Sequence, residues 1–294
     1  MEKINFNALD DAELYGLLFT NTHNKENDIK NKDIILSVHG MASNCFKKRD
    51  EEISIMANKN KIDYFCFNNR GSELVKYITI NGSKHICGTT FENPLDGYSD
   101  IVGAIHMLKN LGYTNIHLLG HSLGCTKIVY TYNKLLEENS KLIQNISSIS
   151  LLSLVDIPMA IKVYLNERYK ETLECAMNLN KADLLPANSF IHPISAGTFL
   201  SYTVNNHSID FAKYGRDNKM EALNNIKCPL FMRWGNKKDM IMGKAEELSL
   251  LMNHTISNTH KDISIIDGAD HGYTGVESIV AEELLNFIKT NNNN

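Results

Sequence analysis

The chain has 294 residues, of which 43% are hydrophobic and 22% charged, and its 30 basic and 34 acidic side chains give a formal net charge of −4. This composition is typical of a soluble globular protein, and without a basic excess it argues against a dedicated nucleic-acid-binding protein. No run of about 18 apolar residues predicts a membrane span, and the N-terminus lacks the basic and apolar stretches of a secretory signal peptide, so we expect a cytoplasmic protein.

Strand and helix patterns alternate through the first half of the chain. The buried-strand pattern is clearest at residues 33–39 (DIILSVH), a continuously apolar run of strand-favouring residues. Asn81-Gly82 between two strand-like segments predicts a hairpin at 77–86, which we place outside the main sheet. The other predicted strands lie at 3–7, 15–20, 62–68, 115–120 and 147–154, the predicted helices at 49–61, 94–110 and 122–138, and a charged loop at 21–32.

The alternation stops between residues 156 and 225. This segment contains amphipathic, helix-like stretches such as 161–179, but no strand resembling the earlier ones. Repeated strand–helix units on either side of it predict an α/β fold with a mostly parallel central sheet and helices on both faces. The later units comprise strands at 229–235 and 262–267 and helices at 244–252 and 274–289.

These patterns predict one discontinuous core, residues 1–152 and 226–294, and a helical cap, residues 153–225. The all-asparagine residues 291–294 are predicted to be a disordered tail. The cap carries Met and aromatic side chains that suit either internal packing or the roof of a cavity, namely Met159, Tyr164, Met177, Phe190, Phe199 and Tyr202.

The six cysteines predict free thiols rather than disulfides or a metal site. They lie tens of residues apart, none forms a C-x-x-C pair, and none stands at metal-ligand spacing from a histidine. A chain of this length can also bury a large core without disulfides. We therefore expect no bound metal.

The strongest candidate for chemistry is Gly120-His121-Ser122-Leu123-Gly124, between a predicted strand and a predicted helix. A serine in this context can stand on a tight strand-to-helix turn. The flanking glycines, Gly120 and Gly124, are needed because side chains there would crowd the turn or the helix. Ser122 is therefore the predicted nucleophile.

A serine hydroxyl is a poor nucleophile at neutral pH and needs a neighbouring base, which is oriented by a carboxylate. His271 lies in a short loop after the last predicted strand and is the predicted base. Asp239, in the loop after the preceding strand, is the predicted carboxylate, and Asp156, after an earlier strand, is the alternative. Asp267 and Asp270 are too close in sequence to His271 to orient it easily.

Acyl transfer also needs backbone N–H donors for the negative charge that develops on the carbonyl oxygen. Leu123, at the start of the helix after the serine, is one predicted donor. Met41 is the other, in the sequence His39-Gly40-Met41 that follows the apolar strand. Gly40 would let the backbone turn close to the serine.

Taken in order, the His-Gly pair, the G-x-S-x-G motif, the aspartate and the histidine resemble the α/β-hydrolase superfamily over nearly the whole chain. Asn68-Asn69-Arg70-Gly71, after the second long strand, adds to the resemblance, as do Tyr98 and Asp100 before the serine motif. The family usually has Asp where Asn69 stands, which predicts the loss of a structural salt bridge.

The resemblance implies a catalytic triad of Ser122, Asp239 and His271 that works without a metal or organic cofactor. The predicted function is therefore a serine hydrolase that cleaves a carboxylic ester or thioester of a small molecule through an acyl-enzyme. Two alternatives stay open: an acyltransferase with an acceptor other than water, and a ligand-binding protein with little turnover. Neither nucleic acid nor a membrane is an expected partner, and the sequence does not indicate the oligomeric state.

Overall fold

A computed structural model of the protein describes residues 1–20, 32–204, 219–241 and 243–292. Its strands are β1 (Glu2–Asn7), β2 (Glu13–Phe19), β3 (Lys32–Val38), β4 (Asp63–Asn68), β5 (Lys76–Ile80), β6 (Ser83–Cys87), β7 (Tyr113–His121), β8 (Ile146–Leu152), β9 (Leu230–Gly235) and β10 (Lys261–Ile266). Eight of them form one sheet in the order β1-β2-β4-β3-β7-β8-β9-β10. β2 pairs antiparallel with β1 and β4, and the remaining neighbours are parallel.

The helices are α1 (Lys48–Lys59), α2 (Gly97–Asn110), α3 (Leu123–Glu137), α4 (Ile157–Leu165), α5 (Tyr169–Asn178), α6 (Ala196–Thr203), α7 (Glu221–Asn224), α8 (Ala245–Thr255) and α9 (Glu277–Asn292). Side chains of α1 and α9 fill a buried cluster on one face of the large sheet, and those of α2, α3 and α8 fill the cluster on the other face. Both faces are covered, which confirms the predicted α/β class.

The central strand β3 shows why the apolar run is continuous. Successive side chains of a strand point to opposite faces, so a strand buried on both faces needs apolar residues at every position. Ile34 and Leu36 enter one buried cluster, and Ile35 between them enters the other. Within the described ranges, no helix is long and apolar enough to cross a membrane.

The predicted hairpin is present as a separate two-stranded sheet of β5 and β6. Its turn residues Asn81 and Gly82 have φ angles of 50° and 75°. Two consecutive positive φ angles are typical of a type I′ turn, for which Asn-Gly is a preferred sequence.

Several predicted helix boundaries were wrong because local backbone conformations interrupt the helical pattern. The stretch predicted at 161–179 is divided at Asn166, whose φ of 49° is left-handed. The last helix starts at Glu277 rather than 274, since Tyr273 and Gly275 have φ angles of 63° and 81°. The segment predicted as a helix from 94 begins with a 3-10 turn, Pro94–Asp96.

The structure tests part of the predicted C-terminal tail but almost none of the predicted charged loop. The last helix continues to Asn292, so residues 291 and 292 are helical and the prediction of disorder was wrong there. Residues 293–294 lie outside the described residues, as do residues 21–31 of the predicted charged loop. All six cysteines are free thiols.

The segment between β8 and β9 contains the helices α4 to α7 and a described non-helical stretch, residues 179–195, and it packs on the core through its own apolar cluster. That cluster includes Leu123 beside the serine as well as Phe199 and Tyr202 of α6. Polar contacts add to the attachment, because the hydroxyl of Tyr202 donates a 3.0 Å hydrogen bond to Glu92, which forms a buried ion pair with Lys127 of α3. The segment therefore lies against the helix that follows Ser122.

Candidate active site

Ser122 stands at the turn between β7 and α3 with φ 54° and ψ −123°. This conformation is rare for a residue with a side chain and costs on the order of 1–3 kcal/mol. Hydrogen bonds hold it in place: the N–H of Ser122 donates to the carbonyl of Leu152 at 2.9 Å, and its own carbonyl accepts from Cys125 N–H at 2.9 Å. The turn exposes the hydroxyl at the end of the strand, as the motif predicts.

Three glycines allow the backbone to crowd around this serine. A Cβ on Gly124 would lie 2.1 Å from the carbonyl oxygen of Val38, and one on Gly120 would lie 2.7 Å from the Cα of Cys125. A Cβ on Gly40 would lie 2.9 Å from the Cβ of Ser122. Side chains at these positions would displace the turn, which is why the motif and the His-Gly pair need glycine.

His271 and Asp239 are in direct contact. The imidazole Nδ1 of His271 lies 2.5 Å from Oδ1 of Asp239, whose side chain is fully buried. A carboxylate can only accept, so Nδ1 carries the proton and Nε2 of the neutral ring is free to act as a base. Ser122 and His271 line the same cavity, although no hydrogen bond joins them among the described contacts. Such bonds often form only when substrate binds.

Asp239 is held by four donors. Its Oδ1 accepts from Met240 N–H at 2.8 Å as well as from His271, and its Oδ2 accepts from Gly235 N–H at 2.9 Å and the hydroxyl of Ser153 at 2.7 Å. Burial raises the pKa of this carboxyl group, but the hydrogen bond and charge of His271 outweigh burial, so the pKa lies below its ordinary value. Asp239 is therefore ionised at neutral pH.

Sequence reasoning missed Ser153 and Tyr273. Ser153 directly follows β8, and the hydroxyl of Tyr273 lies 3.0 Å from Ser153 Oγ and donates to the carbonyl of Arg233 at 2.8 Å. The only available signals were a serine at a strand end and a tyrosine two residues after the candidate base. Both are too common to single out without the fold.

The other acids near the site have different partners. Asp156 caps α4, accepting from Met159 N–H at 3.2 Å, whereas the hydrogen bond of the His271 ring goes to Asp239. Asp267 accepts from the side chain of Asn236. Asp270 accepts from backbone N–H groups of its own turn.

The predicted oxyanion donors flank Ser122 in the structure. Leu123 is the first residue of α3, and the N–H groups of Leu123 and Met41 donate to no protein acceptor among the described residues. The peptide between Gly40 and Met41 is held by His39, whose Nδ1 lies 2.9 Å from the Gly40 carbonyl. Because Nε2 of His39 accepts from Asn69 N–H at 3.3 Å, Nδ1 carries the proton and donates.

His39 should make the protein sensitive to mild acid. Burial, reinforced by the charge of Lys127, lowers the pKa of His39 to about 3. Below about pH 6.5 the unfolded chain binds a proton that the folded chain excludes, so the free energy of unfolding falls by about 1.4 kcal/mol per pH unit for one such group. Denaturant unfolding between pH 7 and pH 4 should show this slope.

The variant His39→Gln removes the titrating group from both states and should reduce the slope. Burial also lowers the pKa of His121, so part of the slope should remain. An identical pH dependence in His39→Gln and the unmodified protein would contradict this account.

His121 within the serine motif has a structural contact. Its Nε2 donates to the backbone carbonyl of His271 at 2.7 Å, and the centroids of the two rings are 4.9 Å apart. The residue before the serine thus holds the loop that carries the candidate base.

The fold of the chain resembles that of solved protein structures. No protein-family model and no curated protein sequence matches the chain. Solved structures match over nearly its whole length. An esterase from Butyrivibrio proteoclasticus, determined with ferulic acid bound, aligns with a TM-score of 0.69 at 14% identity, covering 98% of this chain and 99% of its own. The chain has the α/β-hydrolase fold.

Two further solved structures support this assignment. The esterase domain of a Rhodothermus marinus protein aligns with a TM-score of 0.62 at 12% identity, covering 98% of both chains. Mouse alpha/beta hydrolase domain-containing protein 10 aligns with a TM-score of 0.63 at 12% identity, covering 99% of both chains. Identities this low establish the α/β-hydrolase fold alone.

In the Arg-Gly loop, Asn69 forms hydrogen bonds but no ion pair, as its replacement of aspartate predicts, whereas the neighbouring Arg70 forms ion pairs. Arg70 is buried and has three ion-pair partners, Asp100 and Asp10 at 2.7 Å each and Asp96 at 3.9 Å. The side-chain oxygen of Asn69 instead accepts from Gly71 N–H at 2.9 Å and from Lys127 at 3.3 Å. The uncharged amide of Asn69 therefore stands where the family usually has a carboxylate, and it still forms hydrogen bonds within the loop and to α3.

A cavity of about 600 Å³ lies over Ser122 and His271. Two of the cap residues singled out by sequence, Tyr164 and Phe190, line it. Phe199 and Tyr202 are instead buried in the apolar cluster of the segment between β8 and β9, and Met177 is 64% exposed. Cavities of this volume suit small molecules. The wall formed by the segment between β8 and β9 is mostly apolar, with side chains such as Ile157, Ile161 and Phe190.

Proposed function

We propose that the protein is a serine hydrolase that cleaves a carboxylic ester or thioester of a small molecule, with Ser122 as nucleophile, His271 as base and Asp239 as its partner. The observation that carries the proposal is the 2.5 Å His271–Asp239 hydrogen bond in the same cavity as a serine on a strained strand-to-helix turn. The esterases with this fold are consistent with it.

The geometry supports a two-step reaction. Nε2 of His271 takes the proton of Ser122 as the oxygen attacks the carbonyl carbon, and Asp239 stabilises the imidazolium. The N–H groups of Met41 and Leu123 hold the oxyanion. His271 then protonates the leaving alcohol or thiol as its bond to the acyl carbon breaks. Water attacks the acyl-enzyme by the same route and releases the acid.

The proposal predicts hydrolysis of p-nitrophenyl esters and covalent labelling of Ser122 by a fluorophosphonate. An activity screen over acyl chains of graded length should find a preferred length, because the cavity has a finite apolar wall. Intact-mass and peptide mass spectrometry should place one phosphonyl group on Ser122.

Labelling without turnover in water would instead favour acyl transfer, which product analysis with added alcohols or amines can detect. If the protein shows no labelling and no hydrolysis, the proposed function is contradicted and a ligand-binding protein is favoured.

A further inference from the structure

One wall of the catalytic cavity carries charged side chains that the proposed reaction does not use. It forms where the N-terminal ends of α1 and α9 reach the cavity; these two helices pack against each other. Lys47, Lys48 and Arg49 come from the start of α1, and Glu277 is the first residue of α9. We refer to these four residues as the charged wall.

Glu277 is the unusual member of the charged wall. The residue is 7% exposed and lines the cavity, and no hydrogen bond or ion pair from the described parts of the chain reaches its carboxyl group. Burial of a carboxyl group is unfavourable unless it is hydrogen-bonded, so buried acids in folded proteins normally have partners.

The other buried acids of this chain follow that rule. Asp100 pairs with Arg70, and Glu92 pairs with Lys127. Three more accept hydrogen bonds from tyrosine or from backbone, namely Asp50, Asp63 and Asp156. Glu277 is therefore the exception among the described buried acids, and it faces the space that a substrate would occupy.

The charges near Glu277 indicate which kind of hydrogen-bond donor on a substrate would pair with its carboxylate. Lys47, Lys48 and Arg49 place three cations on the same wall, at a helix N-terminus where positive charge is already unfavourable. Arg49 has an acidic partner, but the contact with Asp50 is long, at 3.3 Å. A substrate ammonium group would be repelled by these cations, whereas an uncharged O–H donor would not.

We propose that Glu277 is a specificity-determining residue that accepts a hydrogen bond from a hydroxyl group of the substrate. This rests on the proposed function, since the hydroxyl belongs to the ester bound at Ser122. The apolar cap side chains Tyr164 and Phe190 would contact the remainder of the substrate. The favoured substrates are thus hydroxylated esters rather than purely apolar or cationic ones.

The test compares esters that differ in one group. For the alcohol side, 2-hydroxyethyl butyrate is compared with propyl butyrate and with 2-(dimethylamino)ethyl butyrate, and for the acyl side ethyl 3-hydroxybutyrate is compared with ethyl butyrate. The unmodified protein should prefer the hydroxylated member of at least one pair by about tenfold or more in kcat/KM, as expected for a hydrogen bond to a charged group.

Variants assign that preference to Glu277. Glu277→Met should bring the kcat/KM ratio of the preferred pair close to one, and Glu277→Gln, which keeps an acceptor oxygen, should retain part of it. Glu282→Met is the matched control, because Glu282 is an exposed acid of the same helix, outside the cavity. It should keep the ratio of the unmodified protein. If Glu277→Met does not fold, a severalfold loss of the ratio in Glu277→Gln tests the same point.

Several results would overturn the proposal: no preference for either hydroxylated ester, an unchanged ratio in Glu277→Met and Glu277→Gln, an equal loss on both members of the pair, or a preference for the ammonium ester. Each of these leaves the proposed function standing if propyl butyrate is cleaved in a Ser122-dependent manner. Failure to cleave any ester would contradict the proposed function and the Glu277 proposal together.

Discussion

Ser122→Ala should lower kcat on any ester that the protein cleaves by about 10⁴- to 10⁶-fold. The hydroxyl is the only group on the strained turn between β7 and α3 that could form the acyl-enzyme, and alanine leaves His271 with no proton to remove. Steady-state kinetics with the best p-nitrophenyl ester would measure the loss. Near-normal turnover would rule out Ser122 as the nucleophile.

Stability measurements on two variants of Ser122 distinguish a loss of catalysis from a loss of folding. Ser122→Ala keeps a side chain at φ 54° and should unfold at nearly the same temperature as the unmodified protein. Ser122→Gly removes the conformational strain and should be more stable by about 1 kcal/mol, while it is equally inactive. Thermal unfolding measures both. A large loss of stability in Ser122→Ala would mean that lost activity reports misfolding.

Asp239→Asn should lower kcat by about 10⁴-fold with little change in fold. The carboxylate accepts the Nδ1 proton of His271 and so keeps Nε2 available to the serine. An asparagine can present its NH₂ group to Nδ1 instead, which stabilises the other tautomer and places the proton on Nε2. The same measurement of kcat applies.

Asp156→Asn is the matched comparison, because it makes the same chemical change in the alternative acid. Asp156 caps α4 through Met159 N–H, and asparagine is an equally good capping residue. We therefore expect Asp156→Asn to change kcat by no more than a fewfold. A larger loss in Asp156→Asn than in Asp239→Asn would reverse the assignment of the acid.

Much of the fold was predictable because the signals are local. The apolar run of β3 indicated a strand buried on both faces, and Asn81-Gly82 indicated the hairpin. The ends of the helices were harder to predict from the sequence. The last helix starts late because Tyr273 and Gly275 adopt left-handed conformations, which a periodic hydrophobic pattern does not reveal.

The candidate site likewise has residues that local sequence signals predict and residues that they do not. Ser122 could be recognised within five residues of sequence because the glycine spacing reflects a local steric need. Ser153 could not, since its hydrogen bond to Asp239 joins loops 86 residues apart and depends on how β8 and β9 pair.

By itself, the sequence determined the α/β class, the tight turn at Ser122 and a short list of candidate acids and bases, because strand periodicity and glycine requirements act over a few residues. Only the tertiary structure decided which acid contacts His271, how His39 holds the Met41 peptide, and that Glu277 faces the cavity without a partner among the described residues. Those contacts join strand ends and helix starts far apart in the chain, and the register of the parallel sheet brings them together.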